Sequence, residues 1–81
     1  MSLKKLSDLH PGQSAMINKL SLSGNPRQRL MAMGFVKGEP VKVVRKAPLG
    51  DPIEFEVKNY NLTLRKSEAA LIEVEVDNDA S

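Results

Sequence analysis

Val41-Lys42-Val43-Val44-Arg45-Lys46-Ala47-Pro48-Leu49-Gly50-Asp51-Pro52-Ile53-Glu54-Phe55-Glu56-Val57 reads as two strands and the loop that joins them. Ile53, Phe55 and Val57 alternate with Glu54, Glu56 and Lys58, the period-2 pattern of a strand with one wet face. Val41 and Val43 repeat the pattern on the other arm, with Lys42 and Arg45 turned to water. The loop from Ala47 to Pro52 is dense in turn formers. Pro48 presets φ, Gly50 accepts a positive φ, and Asp51 can bond its own backbone. Pro52 has no N–H for a ladder, so pairing should resume only after it.

Upstream of this hairpin, Asn25 suits an N-cap and Pro26 the first helical position, which predicts a helix over 26–33. Leu30 and Met33 share a face. Gly34 suits the left-handed residue past the helix end, with Phe35 packing back on Leu30. Arg27 and Arg29 in the first turn oppose the helix dipole, at about 0.3–1 kcal/mol each when exposed, which reads first as a solvated face and second as a role outside helix formation. Lys37-Gly38-Glu39-Pro40 then turns the chain into the hairpin. Residues 14–20 predict a strand in which Ala15 and Ile17 face one way and Met16 and Leu20 the other, and a bulge near Asn18 reconciles the two sets. Leu3, Leu6 and Leu9, three apart, predict one or two turns of helix with Ser7-Asp8 as a cap, closed by the turn at Pro11-Gly12.

Downstream, Asn59 is expected to take a left-handed turn conformation. Leu62 and Leu64 form a short strand, Ser67 caps a single helical or 3₁₀ turn, and Ile72, Val74 and Val76 alternate with Glu73, Glu75 and Asp77 in a last strand. The end of the chain, 76–81, is expected to be a disordered tail. Five short strands and one short α-helix in a single domain, residues 1–81, predict a small, partly open β-barrel, an architecture that removes most exposed strand edges.

Eighty-one residues make one small domain with a thin core and modest stability. There is no cysteine, hence no disulfide framework and no thiolate metal site, as suits a reducing cytoplasm. No stretch approaches the roughly 20 apolar residues of a membrane helix. Lys4 and Lys5 have no apolar run behind them, so the start is not expected to be a signal peptide. The formal charge of +2 conceals an asymmetry: residues 1–66 hold all 12 bases and five of the 10 acids, while residues 67–81 hold the other five acids and no base. The bases are scattered, so the pattern reads first as a solvated surface and second as a preference for an anionic partner.

Nucleophilic catalysis lacks its parts. The one histidine, His10, stands beside Pro11, and the glutamate pairs Glu54/Glu56 and Glu73/Glu75 fall on the outward faces of strands. No glycine loop for phosphate is present, and Gly34 and Gly38 are turn residues. His10, Asp51 and Glu54 form the one set of oxygen and imidazole ligands open to assembly by the fold, and nothing in their spacing requires a metal. Single-strand nucleic-acid binding needs aromatic platforms. The chain has three aromatics, Phe35, Phe55 and Tyr60, and both phenylalanines belong in the core. The residues alone thus describe a small binding module without enzymatic activity.

Arg29-Leu30-Met31-Ala32-Met33-Gly34-Phe35, then Gly38, then Val41 through Pro52, then Leu62-Thr63-Leu64-Arg65-Lys66-Ser67-Glu68-Ala69 resemble the FeoA family, over about Leu6 to Val76. The helix end and the Ala-Pro-Leu-Gly-Asp-Pro loop are specific together, in that order and spacing. Lys37 stands where the family often has proline and Asn59 where it often has glycine, both at turns. The resemblance implies an SH3-like barrel in the cytoplasm that assists the ferrous iron permease FeoB, a membrane protein with a G-protein domain. It implies neither a tightly bound cofactor, although weak Fe²⁺ or other transition-metal binding is the alternative reading, nor nucleic acid, nor membrane insertion. A nucleic-acid-binding barrel is the third reading, motivated by the basic body. The residues expected to meet a partner are Leu49, Gly50 and Asp51 on the loop and Arg27, Arg29 and Met31 on the helix. Leu49 has two possible places: folded back as a lid on one end of the barrel, or exposed as an anchor.

Overall fold

The hairpin forms as the alternation requires. Strand β3, Pro40–Lys46, pairs antiparallel with β4, Ile53–Val57, placing Val41 opposite Val57 and Val43 opposite Phe55. All four side chains are buried, as is Ile53, while Lys42 and Glu56 face solvent. Pairing resumes at Ile53, directly after Pro52. The computed structural model describes residues 2–76. Six strands are present where five were expected: β1, Ser2–Lys5; β2, Ser14–Leu20; β3; β4; β5, Tyr60–Leu64; and β6, Ile72–Val76. Their order in one antiparallel sheet is β1-β6-β2-β3-β4-β5. The sheet coils like a barrel without closing, since β1 and β5 do not pair.

The additional strand replaces the expected N-terminal helix. Leu3 lies in β1, opposite Glu75, and is exposed. Leu6 and Leu9 are fully buried, Leu6 in a single 3₁₀ turn, Leu6–Asp8, and Leu9 just past it. Three leucines at spacing three fit a helix equally well, but Leu3 has no core to reach, and β6 offers it a ladder. Val76, read both as the end of the last strand and as the start of the tail, is the last residue of β6, buried and opposite Ser2. The tail residues 77–81 lie outside the described residues.

Two bulges shape the sheet. The register between β2 and β6 shifts between Ile17 and Lys19, where the conflict between Ile17 and Leu20 places a bulge. A second shift, between Val43 and Arg45, was not anticipated. It turns Val44 outward, sets Arg45 opposite Glu54, and brings Lys46 opposite buried Ile53, where its Nζ donates to the Ser7 carbonyl at 3.2 Å. A bulge strengthens local twist, which a short sheet needs in order to curl.

The helix α1, Gly24–Ala32, starts two residues earlier than expected, with Ser23 rather than Asn25 at its N-cap and no side-chain capping bond. Its end is a full Schellman motif: Phe35 N–H donates to Leu30 O at 2.9 Å and Gly34 N–H to Met31 O at 3.1 Å. Leu30 is the one buried side chain of α1, and it joins Phe35 in the core. A one-turn helix α2, Lys66–Ala69, precedes β6. Its cap is Arg65, not Ser67: Glu68 Oε1 accepts the Arg65 N–H at 2.9 Å. In the two-residue turn between β4 and β5 the positive φ, 56°, falls on Lys58 rather than on Asn59.

Candidate functional site

The two groups of expected contact residues lie at opposite ends of the β3–β4 hairpin. The loop 47–52 leaves β3 at Lys46, and α1 joins the barrel at the far end, near Val41 and Val57. The Tyr60 hydroxyl, beside Val57, donates to the Met33 carbonyl at the end of α1. A strand of seven residues separates the groups, a span of about 20 Å. They are therefore two surfaces, not one.

The loop is built by its backbone. Gly50 N–H donates to Ala47 O at 2.7 Å and Ala47 N–H to Pro52 O at 3.0 Å. Pro48 and Gly50 occupy the second and fourth places of this tight turn, where proline and glycine are favoured. Gly50 has φ +83°, and the Asp51–Pro52 peptide bond is cis. Asp51 does not bond its own segment. Its Oδ1 accepts the Lys66 N–H at 2.9 Å, tying the loop to the first turn of α2, where an N–H has no partner within the helix. Asp51 is thus a structural tether. Replacing Asp51 by alanine should cost about 1 kcal/mol, as loss of an N-capping carboxylate does, and lower the melting temperature by about 4–8 °C. Equal melting of the variant and the parent protein in a thermal scan refutes the tether.

Leu49 sits at the tip and is 95% exposed. It covers no end of the barrel, so of its two places the lid is excluded. Behind it, Glu54 accepts from Arg45 Nε at 2.7 Å and from Asn61 Nδ2 at 2.9 Å. The hydrogen bond from the Arg45 guanidinium, and then that from Asn61, hold the Glu54 carboxyl below the usual carboxylate range.

At the other end, Arg27, Arg29 and Met31 are all exposed. They do not form one patch. Arg27 and Met31 are four apart and share a flank of α1, whereas Arg29 lies across Leu30 from them. The earlier start takes Arg29 out of the first turn, and the end at Ala32 rather than Met33 places it in the last, where a positive charge favours the dipole. The reason for singling it out therefore falls away. Sequence reasoning missed the clasp at this end. The Lys58 side chain lies over Gly34 and its Nζ pairs with Glu39 Oε1 at 3.2 Å, beside the Tyr60–Met33 bond. The only signal for it was a lysine within one turn and a tyrosine directly after it.

Among the described residues no three His, Asp or Glu side chains gather around a point. His10, Asp51 and Glu54 do not assemble. The latter two are engaged with Lys66, Arg45 and Asn61, and the His10 backbone N–H donates to Gln13 Oε1. No helix among the described residues is long and apolar enough to cross a membrane.

The comparisons with known proteins agree with this architecture. A fusion of Fe(2+) transport protein A with the Fe(2+) transporter FeoB from Porphyromonas gingivalis is 44% identical over 72 residues, covering 89% of this chain but 8% of that much longer protein. The solution structure of iron(II) transport protein A from Clostridium thermocellum is 55% identical with a TM-score of 0.85, over 90% of this chain and 45% of that one. The crystal structure of Stenotrophomonas maltophilia FeoA complexed with zinc, described as an SH3 domain protein, is 38% identical with a TM-score of 0.72, over 91% of this chain and 89% of that one. The fold is therefore the SH3-like barrel that the family resemblance implied, open at one seam. The FeoA domain profile matches residues 4–76, nearly all of the described chain, and the chain belongs to the FeoA domain family.

Proposed function

We propose that this chain is a non-catalytic, cytoplasmic accessory protein of ferrous iron transport that acts by contact with a FeoB-type permease. One observation carries the reading: in the Porphyromonas gingivalis relative the two partners are a single polypeptide. A fused domain meets its partner at an effective concentration set by the linker, up to millimolar when the linker is short. A separate chain reaches the same partner through its own affinity. The side chains agree with a contact role, since the chain has no cysteine and one histidine, and no ligand cluster forms among the described residues.

The test is co-purification of the permease with this chain from solubilised membranes, with and without a guanine nucleotide. The permease should be captured, and the amount captured should change with the nucleotide bound to its G-protein domain. Failure to capture it in any nucleotide state removes the reading. A second reading, weak transition-metal binding, is favoured by the zinc complex of the Stenotrophomonas relative. Anaerobic calorimetry with Fe²⁺ discriminates between them: one-to-one binding that His10→Ala abolishes would replace the first reading with the second.

A further inference from the structure

We propose that Leu49 is the anchor of the permease contact, inserting into an apolar pocket rimmed by carboxylates on the partner. The inference rests on the permease reading above and assigns it a surface. Leu49 is the most exposed large apolar side chain among the described residues, at 95% against 56% for Leu3, the next. The fold does not call for it. The third place of this turn accepts most residues, Asp, Asn and Ser included, so a polar side chain would serve the loop equally well and keep the surface wetter. Nothing in the barrel touches it, which leaves no internal role.

The tip is also held ready for binding. Two backbone hydrogen bonds close it, prolines bound it at 48 and 52, and Asp51 fastens it to α2. Immobilising a side chain on a mobile loop costs binding energy, and a pre-ordered loop removes most of that cost. The charge around the tip selects the rim of the pocket. Arg65 and Lys66 stand at its foot and make no ion pair among the described residues, whereas Arg45 is paired with Glu54 and Lys46 donates to the Ser7 carbonyl. The nearby carboxylates of Asp51 and Glu68 are aimed at backbone N–H groups of Lys66 and Arg65. A partner surface of opposite sign steers association and adds salt dependence. One side chain and a short loop make a small contact, below the 1,200 Å² or so of stable complexes, which fits a transient regulatory encounter better than a permanent dimer of this chain.

The experiment compares capture of the permease from solubilised membranes by the parent chain, Leu49→Asp, Arg65→Glu and Arg29→Glu. Because Leu49 is free of the core, Leu49→Asp should melt within a few degrees of the parent protein. It should lose at least tenfold in captured permease. Arg65→Glu should lose severalfold and flatten the dependence on salt, and Arg29→Glu, at the other end of the barrel, should capture as the parent does. If the parent captures the permease and Leu49→Asp or Arg65→Glu captures as much, the anchor is overturned and the permease reading stands. If Arg29→Glu alone loses capture, the contact lies on the helix end and the anchor is again overturned. If the parent captures nothing, the permease reading fails and the anchor with it.

Discussion

Phe55→Ala should destabilise the domain by about 3–5 kcal/mol, the usual cost of deleting a buried aromatic ring. Phe55 is fully buried at the middle of β4, opposite Val43 on one side and Leu62 on the other. It and Phe35 are the largest side chains in the core, and a domain of this size has little apolar volume to collapse into the space left behind. Against a total stability of about 5–15 kcal/mol, and toward the lower bound for a small domain without staples, the loss leaves a large unfolded fraction near room temperature. The melting temperature should fall by about 15–30 °C. Urea unfolding followed by circular dichroism measures the difference directly, and a loss under about 1 kcal/mol would mean that the ring does not sit between β3 and β5.

The second large effect is expected at the end of α1. Gly34→Val should cost about 1–3 kcal/mol from backbone strain alone, because Gly34 has φ +103°, a conformation that a β-branched residue resists. Contact adds to the strain: a Cβ placed on Gly34 would lie 2.8 Å from Lys58 Cε and 3.2 Å from Cδ. The lysine stem can swing away, but only by giving up its pairing with Glu39 and its cover over the helix end. Gly34→Ala and Gly50→Ala separate the two contributions. Gly50 has φ +83° and open space around it, so its alanine variant reports strain without contact. Gly34→Ala should be the less stable of the pair in chemical denaturation. Equal stabilities would show that the Lys58 clasp contributes nothing to holding α1.

The parts of the fold that the sequence announced are those in which local chemistry and the global arrangement coincide. The hairpin alternates because one face of each strand meets the core, and Gly34 and Phe35 mark the helix end because only a glycine takes that φ cheaply. The bulge near Asn18 was legible as a conflict in pattern. The second bulge, at Val44, left no such mark, since Val44 and Arg45 are compatible with either face of a strand end. β1 was illegible for a different reason. Ser2-Leu3-Lys4-Lys5 owes its strand to β6, 68 to 74 residues away along the paired positions, and carries no alternation of its own. Of the candidate site, the tip of the loop was visible as a proline-bounded turn. Whether Leu49 folded inward depended on whether the barrel end was already filled, and Leu6 and Leu9 were assigned to a helix whose place was unknown. The Asp51–Lys66 bond joins residues fifteen apart, beyond any reading of adjacent positions. The place of Arg29 turned on the helix boundaries: a start two residues earlier and an end one residue earlier move it from the first turn to the last.

The pairing of Ser2 with Val76 has a further consequence. The first and last described residues lie side by side in one ladder, so a neighbouring domain attached before residue 2 departs from the same point on the surface as one attached after residue 76. Gene order then matters little to geometry. The barrel can be appended at the front or the back of a larger polypeptide and still hang from the same corner with the same loop presented, much as an insertion between two strands of a host protein would leave it.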